Sequence, residues 1–340
     1  MIDHEVPQMG GMKPGPEFDR IRAFVTAVGA PAPELDLPPG DDAAVLRPLD
    51  GERIVLSSDS SVEGVHFRRA WLRWEAIGYR AAAAALSDLA AMAARPIGVL
   101  VSLMVSPETD QGTLASIGEG FGICLRRHEA GLLGGDLALA PAGVAIDVMA
   151  VGACRSPVTR AGARAGDEVW LSGAVGGAAS AVRAWERSME PDPRARAAFE
   201  RPPARLAEAL WLSERVRLTA LIDLSDGVAG DARQIAAASE MRLVIDLDQV
   251  PLAPPLAEYA DRDAALRLAL AGGDDYELLL CCEPGGIEAV RPEFETGFGL
   301  ALTRIGRVED GAGVEWVSAQ GAILPPELDG YDHFASGSAR

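Results

Sequence analysis

Lysine is almost missing from this chain of 340 residues: Lys13 is the only one, and all other formal positive charge is arginine. A P-loop needs Gly-Lys-Ser/Thr at the start of a helix, but Lys13 is followed by Pro14. No other lysine exists to serve a protein-kinase strand or a pyridoxal Schiff base, so all three classes are excluded. Positive charge is short overall, with 31 Lys+Arg against 50 Asp+Glu and a net charge of -19. A nucleic acid or an anionic membrane would meet a field of its own sign, and neither is expected as a partner. Any phosphate that binds here needs a metal ion or a local arginine.

Cysteine is also sparse. Cys124, Cys154, Cys281 and Cys282 show no CxxC spacing, and the adjacent pair lies in an apolar run typical of a buried strand. Reduced core thiols in a cytoplasmic protein are expected. Residues Met1 to Gly15 carry acids, prolines and glycines where a signal peptide would have a basic start and an apolar core. The long apolar stretches are interrupted, by Asp88 and Arg95 in one and Asp147 in another, so none reads as membrane-spanning.

What is present is apolar bulk, 49% of residues, in a chain longer than one core usually serves. Two domains are expected, residues 1–154 and 155–340, divided in the turn-rich segment Arg155 to Gly166. In the first, helical spacing of Phe18, Ile21, Phe24, Val25 and Val28 predicts a helix, followed by strands near Ala43 to Arg47 and Arg53 to Ser58. The alanine-rich stretch Trp74 to Ala94 predicts a closely packed helix, Ile97 to Val105 a buried strand and Asp110 to Glu129 a further helix. Ala130 to Leu133 and Val144 to Cys154 read as strands. The second half opens with a strand at Glu168 to Ser172, a glycine turn and a helix through Arg187. Strands near Leu221, Val244 and Leu279 then alternate with helices near Ala232 and Leu266. The class is α/β or α+β, with strand order left open.

Against this background stand short acidic signatures: Gly40-Asp41-Asp42, Ser57-Ser58-Asp59, Ser87-Asp88-Leu89, Gly134-Gly135-Asp136, Asp223-Leu224-Ser225-Asp226 and Gly272-Gly273-Asp274-Asp275. Carboxylates that converge repel one another unless cations lie between them. Aspartate with hydroxyl and carbonyl oxygens, and no His or Cys cluster in support, is the ligand set of a hard ion such as Mg²⁺. Each signature has a plainer reading. Gly40-Asp41-Asp42 is a common turn, Ser57-Ser58-Asp59 suits a solvated strand end, and Asp223 to Gly227 suits helix capping. Asp88 is harder to explain that way, because an unpaired carboxylate among small apolar neighbours is costly to bury. His66 is compatible with an ordinary core or surface histidine, and Arg160 with a solvated arginine.

Taken together and in this order, the signatures resemble the thiamine-monophosphate kinase family of the aminoimidazole-ribonucleotide-synthetase superfamily. The resemblance runs from about Phe18 to Phe334 and includes the ending Gly330-Tyr331-Asp332-His333-Phe334. It implies a two-domain fold of mixed sheets packed with helices, an N-terminal domain that dimerises, and ATP held with several Mg²⁺ ions. Carried over by residue, it implies Asp42, Ser57, Ser58, Asp59, Asp88, Asp136, Asp223 and Asp226 as metal ligands. Gly135, Asp136, Arg160 and Ser225 would serve ATP, and His66, Asp274 and Tyr331 the substrate, with Asp59, Asp88 and Asp136 the most critical. The implied reaction moves the γ-phosphoryl group of ATP onto thiamine monophosphate, giving thiamine diphosphate and ADP without a general base. Small departures from the family pattern are Ser58 for a frequent threonine, Leu137 for a frequent threonine and Asp274 for a frequent glutamate. Rivals within the superfamily are selenophosphate synthetase, disfavoured because the first cysteine is Cys124, hydrogenase-maturation relatives and an aminoimidazole-ribonucleotide-synthetase-like ligase. A non-catalytic nucleotide-binding protein is the rival from another class.

Overall fold

The computed structural model describes residues 16–29, 35–37, 45–46, 49–257 and 261–319. The chain divides into two compact units, one reaching Ser156 apart from Ala90–Ala93, the other containing those residues and continuing from Pro157. The first unit comprises α1 (Pro16–Val28), β1 (Leu35–Leu37), β2 (Val45–Leu46), β3 (Arg53–Val62), α2 (Trp74–Ala91), β4 (Arg95–Val105), α3 (Gln111–Arg127), β5 (Gly131–Leu139) and β6 (Val144–Cys154). β1 and β2 form a small antiparallel pair.

The main sheet has the order β3-β6-β4-β5. Its pairs are antiparallel except β4 with β5, whose parallel pairing requires a crossover, and α3 supplies it. Along β4, Val99, Val101, Leu103 and Val105 are buried while Leu100, Ser102 and Met104 are only partly covered, so the sheet has one packed face and one open face. Asp110 caps α3, accepting from the Thr113 amide at 2.7 Å. Phe24 of α1 meets Phe121 of α3 edge-on at 5.6 Å.

The alanine run of α2 is buried from Ala81 to Ala85, and the helix crosses α3 almost backbone to backbone. Glycine makes that crossing possible. A Cβ on Gly120 would lie 1.9 Å from the Glu75 carbonyl oxygen, and one on Gly78 would lie 2.1 Å from that of Ile117.

The second unit comprises β7 (Glu168–Ser172), α4 (Gly177–Glu186), α5 (Pro193–Glu200), α6 (Leu206–Arg215), β8 (Leu218–Asp223), α7 (Val228–Ser239), β9 (Arg242–Asp246), α8 (Pro254–Ala257), α9 (Arg262–Ala271), β10 (Leu278–Cys282), α10 (Gly286–Phe298), β11 (Leu302–Glu309) and β12 (Gly313–Val317). Its six-stranded sheet has the order β12-β9-β11-β7-β10-β8 and is antiparallel except where β12 joins β9. Val169, Leu171, Ile222, Leu279 and Ile305 pack with Ala232 and Ile235 of α7 and Leu266 and Leu270 of α9. Near the Trp170 indole, Arg291 of α10 lies 6.0 Å from the ring centre, and Trp211 of α6 meets Phe294 edge-on at 5.8 Å. All four cysteines are buried free thiols, and burial pushes Cys282 up to about 11.

The structure extends the expected elements in places. β3 continues past Ser58 to Val62, and β5 runs through Gly134-Gly135-Asp136 to Leu139, so two acidic signatures lie within strands and not at their ends. The segment Ser188 to Pro203, expected as a loop or helical excursion, contains α5, whose N-cap Asp192 accepts from the Arg194 amide.

The crossing of α2 and α3 generates a stability prediction. Gly120→Ala forces the two backbones apart and should lower stability by about 1–3 kcal/mol. Gly297→Ala, in α10 with nothing within 4 Å of the added methyl, should leave stability equal or slightly raised. Urea-unfolding midpoints of the two variants check this, and an unchanged midpoint for Gly120→Ala would contradict the close approach.

Candidate functional site

In the first unit the acidic residues are sorted by the pleat of the sheet. Successive side chains of a strand point to opposite faces, so Ser57 and Asp59 share one face of β3 while Ser58 and Ser60 share the other. The Ser57 and Asp59 face is packed: Ser57 Oγ donates to Asp88 Oδ2, which α2 brings down onto β3. Asp88 is partly buried and Ser87 beside it is fully buried, so the carboxylate stands at the edge of an apolar layer. On the open face, Asp147 of β6 accepts from Ser60 Oγ at 2.6 Å and lies 3.4 Å from Ser58 Oγ. Strand register continues this row, since Ser60 pairs with Asp147, Asp147 with Ser102, and Ser102 with Asp136. Ser57, Asp59 and Asp88 therefore gather on one side, and Ser58, Asp136 and Asp147 on the other.

His66 sits in a tight turn after β3. Its Nδ1 accepts from the Val62 amide at 3.0 Å, which leaves Nε2 as the protonated nitrogen of the neutral ring and hence a donor. Asp42 and Tyr331 lie outside the described residues.

In the second unit two turns are joined by main-chain bonds that continue the β8–β10 ladder beyond its last pair, Asp223 with Leu278. The Leu224 amide donates to the Glu277 carbonyl at 2.8 Å, the Tyr276 amide to the Leu224 carbonyl at 2.8 Å, and the Asp274 amide to the Ser225 carbonyl at 3.0 Å. This lacing places Asp274 directly beside Asp223-Leu224-Ser225-Asp226. It is tight enough that a Cβ on Gly273 would lie 2.1 Å from the Ser225 carbonyl oxygen. Asp274 and Tyr276 both adopt left-handed backbone conformations, with φ of 68° and 49°, which cost energy and are held by the bonds around them. The Tyr276 hydroxyl donates to Asp274 Oδ1 at 3.1 Å and orients that carboxylate.

A third loop joins them. Asp275 Oδ2 accepts from the Gly176 amide at 2.8 Å, tying the Gly173 to Gly177 turn to the other two, and burial holds its carboxyl well above the ordinary range. Glu277, 5% exposed, pairs with Arg205 and accepts from Ser172 Oγ at 2.5 Å. Arg205 also reaches Glu208 at 3.0 Å, so the floor of this site is a satisfied ionic network.

Asp223 is 2% exposed, and so is Asp231 in the first turn of α7. Asp231 Oδ2 accepts from the Asp226 amide at 3.1 Å. Burial first, and then the negative charges of Asp223 and Asp226, push the Asp231 carboxyl up to about 8, while the Arg160 charge opposes them. Arg160 comes close because the Thr159 carbonyl accepts from the Leu221 amide at 3.1 Å, laying this segment along β8. Asp231 and Asp147 were not among the residues expected from sequence. Asp147 is a lone acid in an otherwise small or apolar strand, the same signal that marked Asp88, whereas Asp231 shares α7 with Arg233 and Gln234.

Among the described residues no group of three or more His, Cys, Asp or Glu side chains stands close enough to hold a metal ion alone. The donor chemistry still fits Mg²⁺, which keeps several waters and is usually bound by one or two carboxylates together with substrate phosphates. Beside the effect of burial, the negative charges of Asp223 and Asp226 act on the Asp231 carboxyl, with Arg160 opposing them.

The two units correspond to the two domains of the AIR synthase related protein family. The N-terminal domain model of that family matches residues 40–154 and the C-terminal domain model residues 164–317. Within it, the chain is 36% identical over 261 residues to the thiamine-monophosphate kinase of Synechococcus elongatus, covering 74% of this chain and 79% of that one. The crystal structure of thiamine-monophosphate kinase from Stenotrophomonas maltophilia superposes with a TM-score of 0.77 at 34% identity, over 88% of this chain and 94% of that one. The structure of AaThiL complexed with AMPPCP and TMP gives a TM-score of 0.73 at 28% identity, over 87% and 91%. The chain belongs to the thiamine-monophosphate kinase family.

The acid cluster has a pH signature. Folded Asp231 keeps its proton up to about pH 8, whereas an unfolded aspartate loses it near 4, so the native state binds more protons in that window. Stability of the metal-free protein should therefore fall as pH rises from about 4 to about 8. Melting curves in EDTA check this. Asp231→Asn, which keeps an acceptor for the Asp226 amide but cannot ionise, should flatten the slope, and equal slopes in both proteins would contradict it.

Proposed function

We propose that this chain transfers the γ-phosphoryl group of ATP to thiamine monophosphate, releasing thiamine diphosphate and ADP, with Mg²⁺ as the metal. The observation that carries the reading is the laced double turn of the second unit. It holds Asp223, Ser225, Asp226 and Asp274 together, with Arg160 nearby, and the reading assigns none of them as a general base. A phosphate acceptor needs none, because its second pKa of about 6 leaves the nucleophilic oxygen largely ionised near neutral pH. The difficulty is to bring two anions together in line.

Mg²⁺, when bound, would supply the positive charge that offsets repulsion between the two phosphate groups. Asp59 and Asp88 with Ser57, Asp136 with Ser58, and Asp223 with Asp226 would hold the ions, and Asp42 belongs to the same proposed set. Gly135, Asp136, Arg160 and Ser225 would position the nucleotide, Arg160 by a charge-assisted grip on phosphate. His66, through Nε2–H, would donate to the acceptor, and Asp274, oriented by Tyr276, and Tyr331 would fix its rings. Residues 1–154 would then carry metal and phosphate binding and residues 155–340 the rest of the nucleotide and the substrate. The cytoplasm is the proposed location; among the described residues no helix is long and apolar enough to cross a membrane.

A homodimer through the first unit is part of the same reading. Its support is the open face of the sheet, where Ile54, Leu56 and Met149 are 43%, 62% and 39% exposed on adjacent strands. Such an apolar patch on a sheet suits burial against a second copy.

Incubating the protein with ATP, thiamine monophosphate and Mg²⁺ and separating the products should give thiamine diphosphate and ADP in equal amounts. Phosphate release without thiamine diphosphate would overturn the reading. Asp88→Asn should lower kcat by about a hundredfold or more while the melting temperature changes little, because a ligand to the phosphate-neutralising ion is lost. Near-normal turnover in that variant would remove Asp88 from the site.

A further inference from the structure

The turn that carries His66 is also the most basic stretch of an acidic protein. Residues 66–73 read His-Phe-Arg-Arg-Ala-Trp-Leu-Arg, with three arginines and no acid, in a chain of net charge -19. The stretch is firmly placed. Phe67 and Leu72 are buried, the Gly64 amide donates to the Phe67 carbonyl at 2.7 Å, and the Trp71 amide donates to the Arg68 carbonyl at 2.9 Å. The Arg68 guanidinium lies 4.6 Å from the Trp71 ring centre, and Arg69 lies 4.5 Å from that of Trp74. Guanidinium–indole contacts of this kind restrict the side chain.

The three arginines differ from many others of the chain in what they lack. Arg95, Arg205, Arg217, Arg291 and Arg307 each take a carboxylate within 3.0 Å or closer. Among the described residues Arg68, Arg69 and Arg73 form no ion pair with a carboxylate. Of the acids that flank the stretch in sequence, Glu63 accepts from the Val144 amide at 3.0 Å, and Glu75 lies in the first turn of α2. Arg73 also sits where a cation is least favoured, immediately before α2, and its carbonyl accepts from the Ile77 amide. Three neighbouring like charges, two of them pre-stacked and none neutralised, leave an anion as the missing partner.

We propose that Arg68, Arg69 and Arg73 form the capture site for the phosphate monoester of the acceptor, which they hand to His66 in the same turn. The proposal rests on the function argued above, since it names what recognises that acceptor. Guanidinium forks match phosphate oxygens in pairs, and the indoles keep two of the forks presented at little further entropic cost. In a field otherwise repulsive to anions, a local cationic entry raises the encounter rate of the substrate.

The test is Arg68→Ala/Arg69→Ala/Arg73→Ala in the full chain. These side chains lie at the surface or are partly covered, so the fold should persist, which circular dichroism checks. KM for thiamine monophosphate should rise about tenfold or more while kcat and KM for ATP stay within about twofold, since charged hydrogen bonds are lost to one substrate alone. The dependence of kcat/KM on ionic strength should also flatten. An unchanged KM for the acceptor, or an equal rise for ATP, overturns the proposal. An equilibrium readout separates this from failure of the functional reading. Tryptophan fluorescence titrated with inorganic phosphate, without ATP or Mg²⁺, should respond in the wild-type protein and not in the triple variant. If no thiamine diphosphate is made but this response is present, the functional reading fails and the anion site stands; if the wild-type protein gives no response, the anion site fails.

Discussion

Mutual repulsion of carboxylates is the constraint on which this structure turns. Asp223, Asp226 and Asp231 are held near one another at the start of α7, and burial first, then the charges of Asp223 and Asp226, make Asp231 keep its proton beyond its usual range. The fold meets that cost with backbone. Bonds between residues 224 and 277, 276 and 224, and 274 and 225 fix two turns edge to edge, and Asp275 ties in the glycine turn before α4. These anchors are main-chain groups or a buried carboxylate facing an amide, and in the proposed function Asp223 and Asp226 would hold a cation.

The first unit solves a related problem with a sheet. The pleat sends Ser57 and Asp59 toward Asp88 and sends Ser58 and Ser60 toward Asp147. One short run of sequence thus supplies oxygen donors to both faces. Asp88 reaches its position because α2 lies close on the sheet and on α3, and glycine at 78 and 120 permits that approach. Packing far from any ligand therefore sets where a carboxylate stands.

Charge is distributed by role across the molecule. Arg205 is spent inside, neutralising Glu277 beneath the laced turns. Arg160 stands at the acid cluster, where it offsets part of the negative field. Among the described residues, Arg68, Arg69 and Arg73 form no ion pair with a carboxylate. With Lys13 its only lysine, the chain leaves phosphate recognition to guanidinium groups, whose planar forks suit that task.

Local pattern was enough to place most elements. Apolar spacing marked α1, the alanine run marked α2, and Val144–Cys154 and Glu168–Ser172 have the bounds their hydrophobic runs suggest. The acidic signatures were legible too, since a charged residue beside glycine or inside an alanine run is conspicuous without coordinates. Strand order and the extension of β5 through Gly134-Gly135-Asp136 were not, because each depends on which strand lies opposite. Asp231 and Asp147 escaped for the same reason: nothing adjacent in the chain says what faces them. The sequence by itself determined the composition of the site, acids with few bases, because ligand chemistry belongs to side chains. Only the tertiary structure decided which acids meet, because the hydrogen bonds that bring residue 225 to residue 274 join segments that the chain alone leaves apart.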